Sequence, residues 1–222
     1  MRSITKISLF VFFFILSSSY NPQKNYFHIK VIFPIKNIII ENTKTVNPNE
    51  LKKKFRYLLE KSIFFIDKKI IRKVVLNNEF ISSIKIKKIY PNTIKIIVNE
   101  EKPIAIQVLG NKKFYVTNEN LLIKFYDLEI YKNLPLIFGK QEGFNSLYIL
   151  LNNIEFPLNE VKAFYYFDIK RWDISLKSNR IIKLPVENHL SSLKNYMKIK
   201  DNRSFDKYEI FDYRIKDQLI LK

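Results

Sequence analysis

The sequence predicts an α+β protein: a single N-terminal membrane helix, a small module of order β-α-α-β-β, and a β-rich meander with a few helices. Three observations carry that prediction. One apolar run stands near the N-terminus, and no later stretch approaches membrane length. Between residues 35 and 100, apolar positions recur twice at helical spacing and twice at strand spacing. Beyond residue 105, short β-rich runs alternate with turn residues.

The membrane element comes first. Arg2 and Lys6 precede the run Ile7 to Leu16, which is followed by Ser17, Ser18, Ser19 and Tyr20. Basic residues ahead of an apolar stretch hold the N-terminus in the cytoplasm and send the following chain across the membrane. Ten apolar residues ahead of small serines suit a cleaved signal peptide. Counted from Ile4 to Tyr20, the same segment makes a helix of about 25 Å, the short end of a membrane span. The numbers alone fit both outcomes, and both mean export. The expected division is a cytoplasmic tail over 1–6, an anchor over 7–20 and a linker over 21–33, where Asn21-Pro22-Gln23-Lys24-Asn25 is polar.

Composition narrows the chemistry. The chain has 222 residues, no cysteine and three glycines (Gly110, Gly139, Gly143). Thiolate sites, disulfides and glycine-rich phosphate loops are therefore excluded. His28 and His189 lack any metal-ligand spacing. Glu100 and Glu101 are adjacent on a strand and point to opposite faces, so they cannot share a site. No cofactor, metal or catalytic residue is expected. The net charge is +18. Its lysines alternate with isoleucine, as in Ile84-Lys85-Ile86-Lys87, which is how the wet face of a strand reads. No nucleic-acid partner is expected, whereas attraction to anionic headgroups needs no motif.

The small module follows over residues 34–102. Ile35 to Glu41 reads as a strand. Asn47-Pro48-Asn49-Glu50 is a helix start, with Asn47 as N-cap, Pro48 at the first helical position and Glu50 closing a capping box. Leu51, Phe55, Leu58 and Leu59 supply one apolar face. A second helix starts at Asp67, buries Ile70, Ile71, Val74 and Val75, and stops at Asn77-Asn78. Ile84 and Ile86 lie on an outgoing strand, Tyr90-Pro91-Asn92-Thr93 makes the turn, and Ile94, Ile96 and Val98 alternate on the return.

This order, with the segment Phe80 to Ile96 and the exit Glu100-Glu101-Lys102-Pro103-Ile104-Ala105, resembles a POTRA domain of the FtsQ/DivIB family. Arg171-Trp172-Asp173-Ile174-Ser175-Leu176, followed by Ile182-Lys183-Leu184-Pro185, resembles the family's Trp-containing hairpin. Phe211-Asp212-Tyr213-Arg214 resembles its near-C-terminal Asp-Leu-Arg strand, with Tyr213 in place of Leu. The family's membrane anchoring favours retention of the apolar segment over cleavage.

The remaining segment, 103–222, would be the family's β-domain. Hairpin strands flank Gly110-Asn111-Lys112-Lys113, and Leu121 to Phe125 follows. Phe144, Leu147 and Leu151 mark a helix. Strands are expected at Val161 to Phe167, Trp172 to Lys177 and Arg180 to Leu184, then a helix from Glu187 to Met197. The final pair is expected at Tyr208 to Ile215 and Gln218 to Lys222. Such a sheet ends in an edge strand with unpaired backbone groups.

The resemblance implies how that edge is used. FtsQ-type proteins bind FtsB, with its partner FtsL, by strand addition near the C-terminus. The residues implied here are Phe211, Tyr213, Arg214, Ile215 and Leu219, together with Arg171 and Trp172. Trp172 reads first as a core anchor. Arg171 reads equally as a solvated charge and as a match to a family arginine that pairs with an acidic partner residue. The implied protein is a single-pass inner-membrane scaffold concentrated at the division septum. Its bulk would be periplasmic, its POTRA domain recruited by other divisome components, and its β-domain would link early division proteins to septal peptidoglycan synthesis. The competing reading is a POTRA-bearing periplasmic chaperone or outer-membrane assembly factor, and a third is a secreted basic polymer-binding protein.

Overall fold

A computed structural model of the chain describes Ser8, residues 10–15 and residues 31–222. Ser8 and residues 10–15 are helical and exposed. The rest of the expected anchor, the 1–6 tail and most of the linker lie outside the described residues. Among the described residues no helix is long and apolar enough to cross a membrane.

The first sheet has three strands. β1 (Asn37–Glu41) lies parallel to β3 (Thr93–Glu100), which pairs antiparallel with β2 (Ile81–Ile89), in the order β1-β3-β2. Two helices, α1 (Pro48–Lys54) and α2 (Lys68–Leu76), make the crossover that a parallel pair requires. Both begin on the expected caps. Asn47 accepts a hydrogen bond from the Asn49 amide, and Asp67 accepts one from the Lys69 amide. Glu50 makes no bond back to Asn47, so the capping box is only half formed.

α1 is shorter than its apolar spacing predicts. It ends at Lys54, and a 3-10 turn over Arg56–Leu58 carries the chain on. That tighter turn still delivers Leu58 to the core beside Leu51 and Phe55. Glu100 then ties the loop before α1 to the sheet: its carboxylate accepts the amides of Lys44, Thr45 and Val46 at 2.9–3.0 Å. Glu101 is buried, and burial, with Glu119 nearby, holds its carboxyl above the usual range.

The second sheet departs from a meander. It has nine strands: β4 (Pro103–Leu109), β5 (Lys112–Thr117), β6 (Leu122–Lys124), β7 (Leu136–Phe138), β8 (Val161–Phe167), β9 (Arg171–Leu176), β10 (Ile181–Lys183), β11 (Ile210–Asp212) and β12 (Ile220–Leu221). Their order is β12-β11-β10-β9-β8-β7-β4-β5-β6. Three neighbouring pairs, β4–β7, β7–β8 and β10–β11, are parallel. Parallel neighbours need a crossover, and α3 (Phe144–Asn153) and α4 (His189–Ile199) supply it for the last two pairs. Gly139, at the exit of β7, has φ +89°, and a Cβ there would lie 2.5 Å from the Tyr166 carbonyl oxygen.

Both helices bury their apolar sides against the sheet, around Phe144, Leu147, Leu151, Leu193 and Tyr196. The two sheets also share an apolar seam. Ile106, Tyr115 and Ile123 of the second sheet join the core of the first. Phe80 packs edge-on against Tyr115 with ring centroids 5.9 Å apart and stacks on Tyr131 at 6.5 Å. Thr45 and Tyr131 hydroxyls hydrogen-bond across the seam at 2.7 Å.

Candidate partner-binding surface

The nine-stranded order leaves two edges, β6 and β12. They are treated differently. At β6, the Glu79 carboxylate of the first module accepts the Lys124 amide at 2.8 Å, and the seam residues pack alongside. That edge is guarded. At β12, register pairs Phe211 with Leu221 and Asp212 with Ile220. Ile210 and Lys222 exchange both backbone bonds, at 2.9 and 3.1 Å. Narrow and wide pairs alternate in an antiparallel ladder, so the Leu221 amide and carbonyl point to the outer side, where no further strand lies among the described residues.

A groove of about 610 Å³ opens beside the loop that leads into this edge strand. One wall is the turn into α4 and its first turns, with Val186, Ser191 and Asn195; the other is the 213–219 loop, with Tyr213, Ile215 and Leu219. Ile215 is 50% exposed and Leu219 half-buried against the core. Tyr213 is buried, and its hydroxyl hydrogen-bonds with Asn195 Oδ1 at 3.0 Å, joining loop to helix. Burial raises the Tyr213 phenol, so it stays protonated.

The final strand pair is shorter than the sequence predicts. Ile215 was expected on a strand over Tyr208 to Ile215, but β11 stops at Asp212. The strand cannot continue because Asp212 turns its carboxylate back on the chain, accepting both the Arg214 amide at 3.1 Å and its guanidinium at 2.6–3.0 Å. Ile215 therefore sits on a loop and faces the groove. Proline at 215 would remove no ladder hydrogen bond.

Trp172 and Phe211 are core residues. Trp172 is 2% exposed and packs against Phe144, Phe164 and Tyr166. Phe211 is fully buried, with its ring 5.0 Å edge-on to Tyr196. Neither side chain reaches a partner without opening the core. Both belong to the site only as the packing beneath it.

A charged row lies on the face of the sheet away from Trp172 and Phe211, with an arginine at each end. Register aligns Asp173 of β9, Lys183 of β10 and Asp212 of β11 in one cross-strand row that ends at Ile220 of β12. Arg171 lies two residues from Asp173 on the same face of β9, whereas Arg214, beyond the end of β11, borders the groove and turns its guanidinium onto Asp212. Arg171 is not the solvated charge considered from the sequence. Its side chain is 13% exposed, its Nε lies 3.3 Å from Asp173 Oδ1 without hydrogen-bond alignment, and its guanidinium covers the Phe167 ring at 4.4 Å. Burial raises the Asp173 carboxyl, against the lowering effect of Arg171, Lys183 and Arg214. The Arg214 guanidinium beside Asp212 holds that carboxyl below its ordinary value. Arg214 is 42% exposed. With Nε and one edge spent on Asp212, it still presents outward N–H donors.

Sequence reasoning missed Lys183, Asp212 and the α4 wall of the groove. Alternation of Arg171 with Asp173, and of Asp212 with Arg214, was readable; that these pairs share a row was not, because only strand register aligns them.

The family model "POTRA domain, FtsQ-type" matches residues 33–101. The chain is similar to the cell division protein FtsQ of Rickettsia conorii, with 27% identity over 87% of this chain and 73% of that protein. FtsQ of Rickettsia bellii is 28% identical over 86% of this chain and 72% of that protein, and FtsQ of Bradyrhizobium diazoefficiens 22% over 86% and 57%. Over 86–87% of its length the chain is thus similar to cell division proteins named FtsQ.

Proposed function

We propose that this chain is a single-pass division-site scaffold that captures the exported segments of an FtsB–FtsL pair at the β12 edge and in the groove beside it. The observation that supports this reading best is the juxtaposition itself: an outward backbone donor and acceptor at Leu221 next to a groove lined by Ile215 and Leu219. An extended segment would pair with Leu221, since strand addition draws affinity from main-chain bonds. An apolar side or short helix of the same segment would fill the groove, and an acidic residue would meet the outward donors of Arg214. Arg171, pinned between Asp173 and Phe167, would act by holding the charge row in place. The POTRA module would serve recruitment by other divisome components, and the whole chain would join early division proteins to septal wall synthesis without chemistry of its own.

Site-specific photocrosslinking tests this. A photoreactive residue at position 220 is expected to capture FtsB or FtsL in dividing cells, and one at position 122, on the guarded edge, is not. Equal capture from both positions, or none from 220, contradicts the reading. Capture of outer-membrane barrel proteins from 220 would instead support an assembly factor.

A further inference from the structure

The POTRA module carries a second exposed surface, away from the edge described above. Where the chain enters the module, Ile32 and Phe33 are exposed, and the entering strand is tied down by a bridge between Pro34 and Ser62. The Ile63 amide donates to the Phe33 carbonyl at 3.1 Å, and the Ser62 hydroxyl to the Ile32 carbonyl at 2.8 Å. This brings Phe33 against Phe64, with centroids 5.4 Å apart, and Phe64 against Tyr90, again at 5.4 Å. Phe65 next to them is 90% exposed. Contiguous exposed aromatic surface of this kind marks a binding face.

Its surroundings say what it binds. Lys88 reaches into the patch and donates to the Phe64 carbonyl at 2.9 Å. In the chain Lys61 directly precedes the Ser62–Phe65 segment, with its ammonium over the Tyr57 ring, and Lys68 and Lys69 open α2 just after it. The acids nearby are Glu60 and Asp67, and Asp67 is occupied capping α2. Sixteen Lys and Arg against seven Asp and Glu give residues 34–102 a charge of +9, while the longer segment 103–222 carries +5. Exposed apolar helix lies close by in the chain, over residues 10–15. The 16 residues between Ile15 and Ile32 can span at most about 60 Å, so the patch stays within reach of any bilayer that holds that helix.

Aromatic rings ringed by lysines are the composition of a headgroup-layer contact: rings settle at the interface and ammonium groups meet lipid phosphates. We propose that this aromatic end of the POTRA module is a lipid-contact face that rests on an anionic bilayer and fixes the module's standing orientation over the membrane. The occupant is anionic phospholipid. Each lysine near such a surface adds to the attraction.

The absence of cysteine makes the test clean. Full-length protein carrying Phe65→Cys, labelled with a polarity-sensitive fluorophore, is reconstituted into vesicles of phosphatidylcholine alone or mixed with phosphatidylglycerol. Ser178→Cys, in the β9–β10 turn, carries the same label as control. The expected result is a blue shift and quenching by nitroxide lipid at 65 in the anionic vesicles, weaker in neutral ones, and neither effect at 178. Lys68→Glu with Lys88→Glu should reverse the shift at 65 while circular dichroism stays unchanged. Labels at 65 and 178 equally open to water in anionic vesicles, or protection at 65 only when another protein is added, would overturn the proposal. Failure of the β12 edge to bind FtsB or FtsL would leave these readouts untouched.

Discussion

At the scale of single residues, the charge row decides how the β-domain responds to pH. Asp212 is held below its ordinary value by Arg214. A carboxylate of that kind contributes stability above the ordinary carboxylate range and loses it as pH falls through its folded value. Asp212→Asn is therefore expected to lower stability by about 1 kcal/mol at neutral pH, because the pair is half-exposed on the Arg214 side. Urea unfolding at stepwise lower pH should show the gap to the natural protein closing. A gap independent of pH would mean that the Asp212 charge adds nothing. Trp172 belongs to a different class. Trp172→Ala removes a ring buried among three aromatic neighbours and should cost about 3–5 kcal/mol, read as a collapse of near-UV circular dichroism. Loss of partner binding in that variant would report unfolding, not contact. The family resemblance pointed to Arg171, Trp172 and Phe211 by their place in motifs; their burial depends on neighbours contributed by α3, α4 and β8, and no local pattern displays those.

At the scale of elements, helix starts were the most legible features. Asn47-Pro48 and Asp67 are local signals, and each cap forms where the residues predict. Strand ends and strand direction were less so. β7 has three residues, too few to show a period, yet it lies between β4 and β8 and makes both pairings parallel. The shortening of β11 follows from one side chain, Asp212, bonding forward to Arg214, and alternation cannot reveal that. This changes what a groove variant should do. Ile215→Asp places a charge on an exposed loop, so thermal stability should hold within about 0.5 kcal/mol, while partner affinity should fall at least about tenfold through a charge facing an apolar segment. Titration calorimetry alongside a melting curve separates the two. Unchanged affinity would remove the 213–219 wall from the site.

At the scale of the whole molecule, the two modules are joined by a packed seam. Phe80, Tyr115 and Tyr131 interlock, and Glu79 closes the β6 edge. Phe80→Ala should cost about 3 kcal/mol and split one calorimetric transition into two; a single transition in the variant would show that the seam does not couple the modules. The seam also accounts for the asymmetry of the sheet: the first module covers one edge and the other stays open. The measurement that tests the central claim most directly uses Leu221, whose amide points outward at that open edge. Proline is tolerated at an edge position whose N–H faces out, so Leu221→Pro keeps the β11–β12 ladder and should fold, with a modest drop in melting temperature because the Leu221 side chain is half-buried against the core. Calorimetric titration with the exported segments of FtsB and FtsL should show binding by the natural chain and a loss of at least about tenfold, roughly 1.4 kcal/mol, in the variant. Equal affinity in both, with the variant folded, would contradict strand addition at β12.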